Sequence, residues 1–259
     1  MQSLFLFAHP DDEFGCYESI RIDIELGKDV LCVFMTDGGY GGQSPERRNL
    51  ESTKVLSLLG VKTSNIIYLG LFSGIQDGLL PYKLFDASAA LLNALSGYEN
   101  IDKIYVPAWE GGHQDHDAVH IIGVELNEIF FEAKNGLWQY SIYHGEGLKG
   151  PFFHVLKPLR NNGPCVIQKM PFLRRMGYLR LCLKYPSQWK TWMGLYPFVA
   201  YRLIFDGCYR LQLVRGIDYS RRPHAGRLLY ERRGAFSYEN FFVLLSKYVE
   251  MAGKELSGK

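Results

Sequence analysis

The sequence predicts an α/β fold, a Rossmann-like three-layer sandwich around a mostly parallel sheet, with an elaboration toward the C-terminus. Three observations carry that expectation. Short apolar runs alternate with amphipathic stretches from residue 4 to residue 143. The first run, Leu4 to Ala8, is apolar on both faces, as a strand inside a parallel sheet is. Gly27 and Gly60 stand where helices should stop. Alternation of this kind places helices on both faces of the sheet and connects its strands by right-handed crossovers.

Taken in order, residues 14 to 26 carry helical spacing, and Val30 to Met35 reads as the second strand. A glycine-rich loop follows, Thr36 to Gly42, which either brings backbone close to a ligand or serves as a plain connector. Residues 46 to 59 form an amphipathic helix and Asn65 to Leu69 a third strand; Ser88 to Leu95 lies in a third helix. Lys103 to Val106 is strand four, Ala118 to Phe131 a fourth helix, and Trp138 to Tyr143 a fifth strand.

A chain of 259 residues with 47% hydrophobic content can bury a large core, and it reads as one domain: a core over 1–145 and an extension of the same domain over 146–259. The net charge of +2 does not point to nucleic acid. Five scattered cysteines read as reduced core residues. With no signal-like start and no apolar run of about 18 residues, the expected location is cytoplasmic, with nothing spanning a membrane. Beyond residue 150 the composition turns aromatic and basic. Within 172–184, Arg174, Arg175, Arg180 and Lys184 mix with apolar residues, as in a helix lying on an anionic membrane or one packed on the sheet with its cations at the rim. For residues 165–215 an oligomer interface is also open.

Chemistry concentrates at two strand ends. The first apolar run closes in His9-Pro10-Asp11-Asp12-Glu13. Alone, those carboxylates would serve to cap a helix. Strand four, however, closes in Pro107 and leads to Gly111-Gly112-His113-Gln114-Asp115-His116. Two such clusters, both at C-terminal strand ends where open α/β sheets bind ligands, point instead to a divalent cation that offsets the charges.

The pair AHPDDE and GGHQDH, with its separation, resembles the LmbE-like (PIG-L-like) zinc-dependent N-deacetylases over roughly residues 2 to 145. By position, the resemblance implies His9, Asp12 and His116 as ligands of zinc or another divalent transition metal. It implies Asp11 as general base and His113 as the donor to the oxyanion or leaving amine, with Asp115 orienting His113 and raising its pKa. It extends to Arg48 and Asp77 as substrate contacts. A tyrosine that some relatives carry before His113 is absent from Trp109-Glu110-Gly111-Gly112, which leaves the general acid open. His120 is expected as an outer partner or bystander and Glu13 at a helix start or behind the ligands, while His144, His154 and His224 receive no role.

The expected activity is removal of an N-acetyl group from an N-acetylglucosamine-like amino sugar or its conjugate. Residues 165–215, Trp189 and Trp192 among them, are expected to roof the site and select a large amphiphilic acceptor. The competing reading is a non-hydrolytic nucleotide- or sugar-binding module, suggested by Asp37 at the end of strand two; the phosphate-binding glycine turn after strand one is missing. A pseudoenzyme with a structural metal is a third.

Overall fold

The computed structural model describes residues 1–131 and 136–251. In chain order the elements are β1 (Gln2–Phe7), α1 (Tyr17–Glu25), β2 (Asp29–Phe34), α2 (Pro45–Leu59), β3 (Ile66–Ile67), α3 (Leu69–Ser73), α4 (Leu84–Ala94), β4 (Ile101–Pro107) and α5 (Gln114–Phe131). There follow β5 (Leu137–Tyr140), β6 (Tyr143–His144), β7 (His154–Val155), β8 (Cys165–Lys169), α6 (Phe172–Cys182), α7 (Trp189–Tyr201), β9 (Cys208–Leu213), α8 (Leu229–Arg232) and α9 (Tyr238–Met251).

Seven strands form one sheet in the order β3-β2-β1-β4-β5-β9-β8. The first five run parallel, and β9 and β8 extend the sheet antiparallel. Successive residues of β1 point to opposite faces. Leu4, Leu6 and Ala8 pack into a core with α4, α5 and α9, while Phe5 and Phe7 pack into a second core with α1, α2, α6 and α7. This is the expected three-layer arrangement. All five cysteines are free thiols.

Local chemistry explains where the boundaries depart from expectation. Residues 12–15 make a 3-10 turn, so α1 starts only at Tyr17. Ser44 caps α2 by accepting from the Arg47 N–H, Pro45 takes the first helical position, and Gly60, at φ 104°, ends the helix. The third strand is only two residues long because Leu69 already begins α3. The fifth strand stops at Tyr140, and Tyr143–His144 pairs instead with His154–Val155 in a separate two-stranded sheet.

Two cations of α6 are used within the protein: Arg174 pairs with Glu18 and Glu25, and Arg175 donates to the Leu203 and Ile204 carbonyls. The packed reading of this helix holds for both. No described helix is long and apolar enough to cross a membrane.

Candidate active site

Strand order reverses between β1 and β4, which lie side by side, with β2 beyond one and β5 beyond the other. Such a switch point opens a crevice at the C-terminal strand ends. Residues 9–13 leave β1 and residues 108–116 leave β4 into that crevice, so the two histidine-aspartate clusters meet.

Asp11 adopts φ 100°, a left-handed conformation costly for a residue with a side chain. The surroundings hold it there. Its N–H donates to Glu13 Oε2 at 2.9 Å and to Ser52 Oγ at 3.2 Å. Trp192 Nε1 donates to Asp11 Oδ2 at 3.1 Å, and Arg48 Nη2 lies 3.3 Å from Oδ1. Burial pushes the Asp11 carboxyl up to about 7 against the pull of Arg48, and the neighbouring Asp12 charge adds to the rise.

Asp12 faces both expected histidine partners. His116 Nε2 is 3.0 Å from its Oδ1, His9 Nδ1 is 3.3 Å from its Oδ2, and the His9 N–H donates to the same Oδ2 at 2.7 Å. Burial opposes its charge, but His116 and His9 outweigh it and hold the carboxyl well below the usual carboxylate range. His9 Nε2, on the other side of the ring, lies 3.0 Å from Asp115 Oδ2 and 3.2 Å from Asp77 Oδ1. Burial lowers the His9 pKa, yet Asp77, Asp12 and Asp115 together raise it well above the ordinary imidazole value.

Among the described residues, two groups of donor atoms each converge within 4.8 Å: His9, His113 and His116; and His9, Asp77, His113 and Asp115. The second is a poor cage. Asp77 pairs with Arg48, and Asp115 already accepts from the Gly78 and Leu80 N–H groups at 2.6 and 3.2 Å. Asp12 contacts imidazole nitrogens from both motifs, and nitrogen with carboxylate oxygen is a donor set that suits a divalent transition metal. The site fits a divalent cation.

Asp115 departs from its expected orienting duty. Its carboxylate turns to His9, and only its backbone N–H reaches His113, donating to Nδ1 at 3.2 Å. The cause is the start of α5 at Gln114, which turns the Asp115 side chain toward β1 while its amide faces back along the loop. Burial, with His9 and His116 adding to it, drives the His113 pKa well down rather than up. Arg48 departs likewise. It lines the cavity but is buried, and its Nη donors go to the Gly38 and Pro10 carbonyls, Asp77 and Asp11. His120 is a structural link, bonded to the Pro107 carbonyl and the Tyr219 hydroxyl.

Other residues shape the site from behind. Glu13 is fully buried and ties the Asp11 N–H to the Tyr185 hydroxyl. Glu110 accepts from the N–H groups of Ile142 and Tyr143 and from Ser141 Oγ, which sets Tyr143 against His116 with ring centroids 5.4 Å apart. Gly112 is required there, because a Cβ would strike the Tyr143 carbonyl. Trp192 faces Asp11, whereas Trp189, three residues earlier, is exposed. The cavity measures about 390 Å³, and Gln188, Thr191 and Leu195 form its wall on the α7 side.

Burial raises the Glu110 carboxyl to about 7. A carboxyl with a raised folded-state pKa contributes stability that is fully present below its unfolded value near 4.3 and is lost as pH rises through about 7. Relative to Glu110→Gln, whose amide does not titrate, the wild type is expected to lose on the order of 3 kcal/mol between about pH 4 and pH 8. Denaturant unfolding of both proteins across that range measures it; parallel profiles would refute it.

Residues 4–127 match the family profile described as PIG-L: GlcNAc-PI de-N-acetylase. No curated protein matches the chain. Among solved structures, N,N'-diacetylchitobiose deacetylase from Pyrococcus horikoshii is similar at 21% identity and TM-score 0.59, covering 83% of this chain and 82% of that one. A conserved protein of Thermus thermophilus is similar at 18% identity and TM-score 0.57, covering 83% and 94%. A deacetylase of the teicoplanin biosynthetic pathway is similar at 16% identity and TM-score 0.57, covering 83% and 98%. At these identities the likeness establishes the fold. The class that the family profile, fold and site define together is an amidohydrolase, an N-deacetylase. Residues 4–127, just under half of the chain, therefore carry the match to the PIG-L (LmbE-like) family.

Proposed function

We propose that the protein is a zinc-dependent hydrolase that removes the N-acetyl group from an N-acetylglucosamine-like amino sugar carried on a conjugate. The observation that carries this reading is the Asp12 carboxylate between His9 and His116, beside an Asp11 held out of ordinary backbone geometry. His9, Asp12 and His116 would hold the cation, which supplies Lewis acidity to the acyl carbonyl and lowers the pKa of water. Asp11, basic enough near neutrality, takes the proton from the water that attacks the acyl carbon. His113 accepts the Asp115 N–H at Nδ1, so its proton sits on Nε2, where it donates to the oxyanion. Asp77, at the cavity wall, accepts from a sugar hydroxyl; Arg48 positions Asp11 and Asp77.

A conjugate rather than a free sugar is supported by space. Arg233 lines both the cavity and an open cleft of about 1160 Å³ along residues 146–151 and α8. The chitobiose deacetylase among the similar folds favours a saccharide acceptor. On this reading residues 146–259 extend the core and shape the acceptor side. The nucleotide-binding alternative is disfavoured because Asp37 Oδ1 is taken by the Gly39 and Asp77 N–H groups. The test is metal analysis followed by acetate release from N-acetylglucosaminyl conjugates, before chelation and after zinc return. Activity indifferent to chelation would overturn the proposal.

The same reading gives Asp115 its own signature. A carboxylate that fixes the far nitrogen of a ligating histidine typically contributes 10- to 100-fold in metal affinity. Asp115→Asn is therefore expected to bind zinc roughly 10- to 100-fold more weakly and to recover most of its rate at saturating zinc. Unchanged zinc affinity with a depressed kcat would return Asp115 to the orienting role on His113.

A further inference from the structure

Helix α7 is apolar on nearly every side, yet only one side is buried. Trp192, Leu195, Val199 and Leu203 pack into the core, while Trp189, Met193, Pro197 and Tyr201 stand exposed at every fourth position. A π-helical turn, Arg202–Asp206, carries the series on to Phe205, which is 74% exposed. Leu183, 65% exposed, shares one groove with Trp189 and Met193 and a second with Leu50 of α2. The patch thus runs across three elements. Contiguous exposed apolar surface of this extent marks an interaction site.

Charge identifies what covers it. Residues 147–205 contain ten lysines and arginines and not one aspartate or glutamate, although the whole chain carries only +2. At the patch, Lys184 lines the groove with Leu183 and Leu50, and the Lys190 ammonium lies 5.8 Å from the centre of the Trp189 ring. No carboxylate among the described residues pairs with Arg180, Lys184 or Lys190. A second copy of the chain on this face would set one basic rim against another, which is unfavourable. A bilayer of anionic lipid answers both features: aromatic and aliphatic side chains enter the headgroup boundary, and lysines and arginines reach the phosphates.

We infer that the α6–α7 face docks on an anionic lipid surface. The site lies beside it, since Gln188, Thr191 and Leu195 of the same stretch wall the cavity and Tyr40, largely exposed, also lines it. Docking therefore brings the cavity to headgroup level. Resting on the proposed deacetylase reading, this favours an acceptor sugar carried on a lipid.

Sedimentation of the full-length protein with phosphatidylcholine vesicles, with and without about 30% phosphatidylglycerol, tests the docking apart from turnover. Binding is expected to the anionic vesicles only, and to weaken in about 0.5 M salt. Lys184→Glu with Lys190→Glu, and separately Trp189→Ser with Phe205→Ser, are expected to weaken it on the order of tenfold or more. Both double variants should keep the wild-type rate on a water-soluble N-acetyl substrate. No binding, equal binding to neutral vesicles, or unchanged binding of either double variant would overturn the inference. So would a change in solution mass without vesicle binding, which would assign the face to self-association. A protein that binds vesicles without deacetylating would refute the activity and leave the docking standing.

Discussion

Asp11→Asn is expected to keep its metal and to lose kcat on the order of 1000-fold, within the range by which positioned general bases contribute. The substitution suits the site. Asparagine tolerates the left-handed backbone that Asp11 adopts at φ 100° better than almost any other side-chain-bearing residue, so the loop need not move. Most of the clamps survive too: the backbone N–H still meets Glu13 and Ser52, and an amide oxygen still accepts from Trp192, while the ion pair with Arg48 is lost. What disappears is the basic oxygen. Zinc content by elemental analysis and kcat measured in parallel separate the outcomes, and loss of zinc with loss of rate would make Asp11 a ligand. Asp11→Ala makes a poorer probe, because it empties the space between Arg48 and Trp192 and leaves two buried donors without an acceptor.

The sequence revealed the fold and the location of the site more fully than the internal wiring of the site. Parallel strands buried on both faces announce themselves as continuous apolar runs, and β1, β2 and β4 were legible for that reason. β8 and β9 were not. They lie beyond the parallel core, β8 is exposed along most of its length, and neither carries a clean alternation. At the site, chain position fixed which residues leave the strand ends, and Asp12 lies against both His9 and His116, while the donor atoms that converge on one point are those of His9, His113 and His116.

Direction was not legible. Asp115 turns to His9 because α5 begins one residue before it, and a helix start shifted by one position would aim the carboxylate elsewhere. Trp189 and Trp192 are indistinguishable as letters, but they lie three residues apart on one helix, and only packing against Phe14 and Tyr185 turns Trp192 inward. Glu13 read either as a helix start or as a residue behind the ligands; burial beneath the Asp11 loop makes it the second, a clamp on the Asp11 N–H.

Asp12→Ala is expected to lower zinc affinity well beyond the roughly 100-fold that an outer partner contributes, and to abolish activity at any practical metal concentration. Among the described residues, Asp12 provides the one carboxylate in contact with imidazoles of both motifs, from Oδ1 to His116 and from Oδ2 to His9. Without it, two buried histidines face each other with nothing anionic between them. The variant also leaves the His9 backbone N–H without its acceptor, at a cost of about 1–3 kcal/mol in the folded state. Metal-free Asp12→Ala should therefore unfold at lower denaturant than metal-free wild type, and added zinc should stabilise the wild type far more than the variant. Asp12→Asn sharpens the comparison: its amide oxygen can still accept the His9 N–H, so stability should largely return while zinc affinity stays low. Titration of zinc into both variants, read by unfolding midpoint and by direct binding, tests the pair. If Asp12→Ala binds zinc as the wild type does, the cation belongs with His9, His113 and His116, and the assignment of Asp12 as a ligand fails.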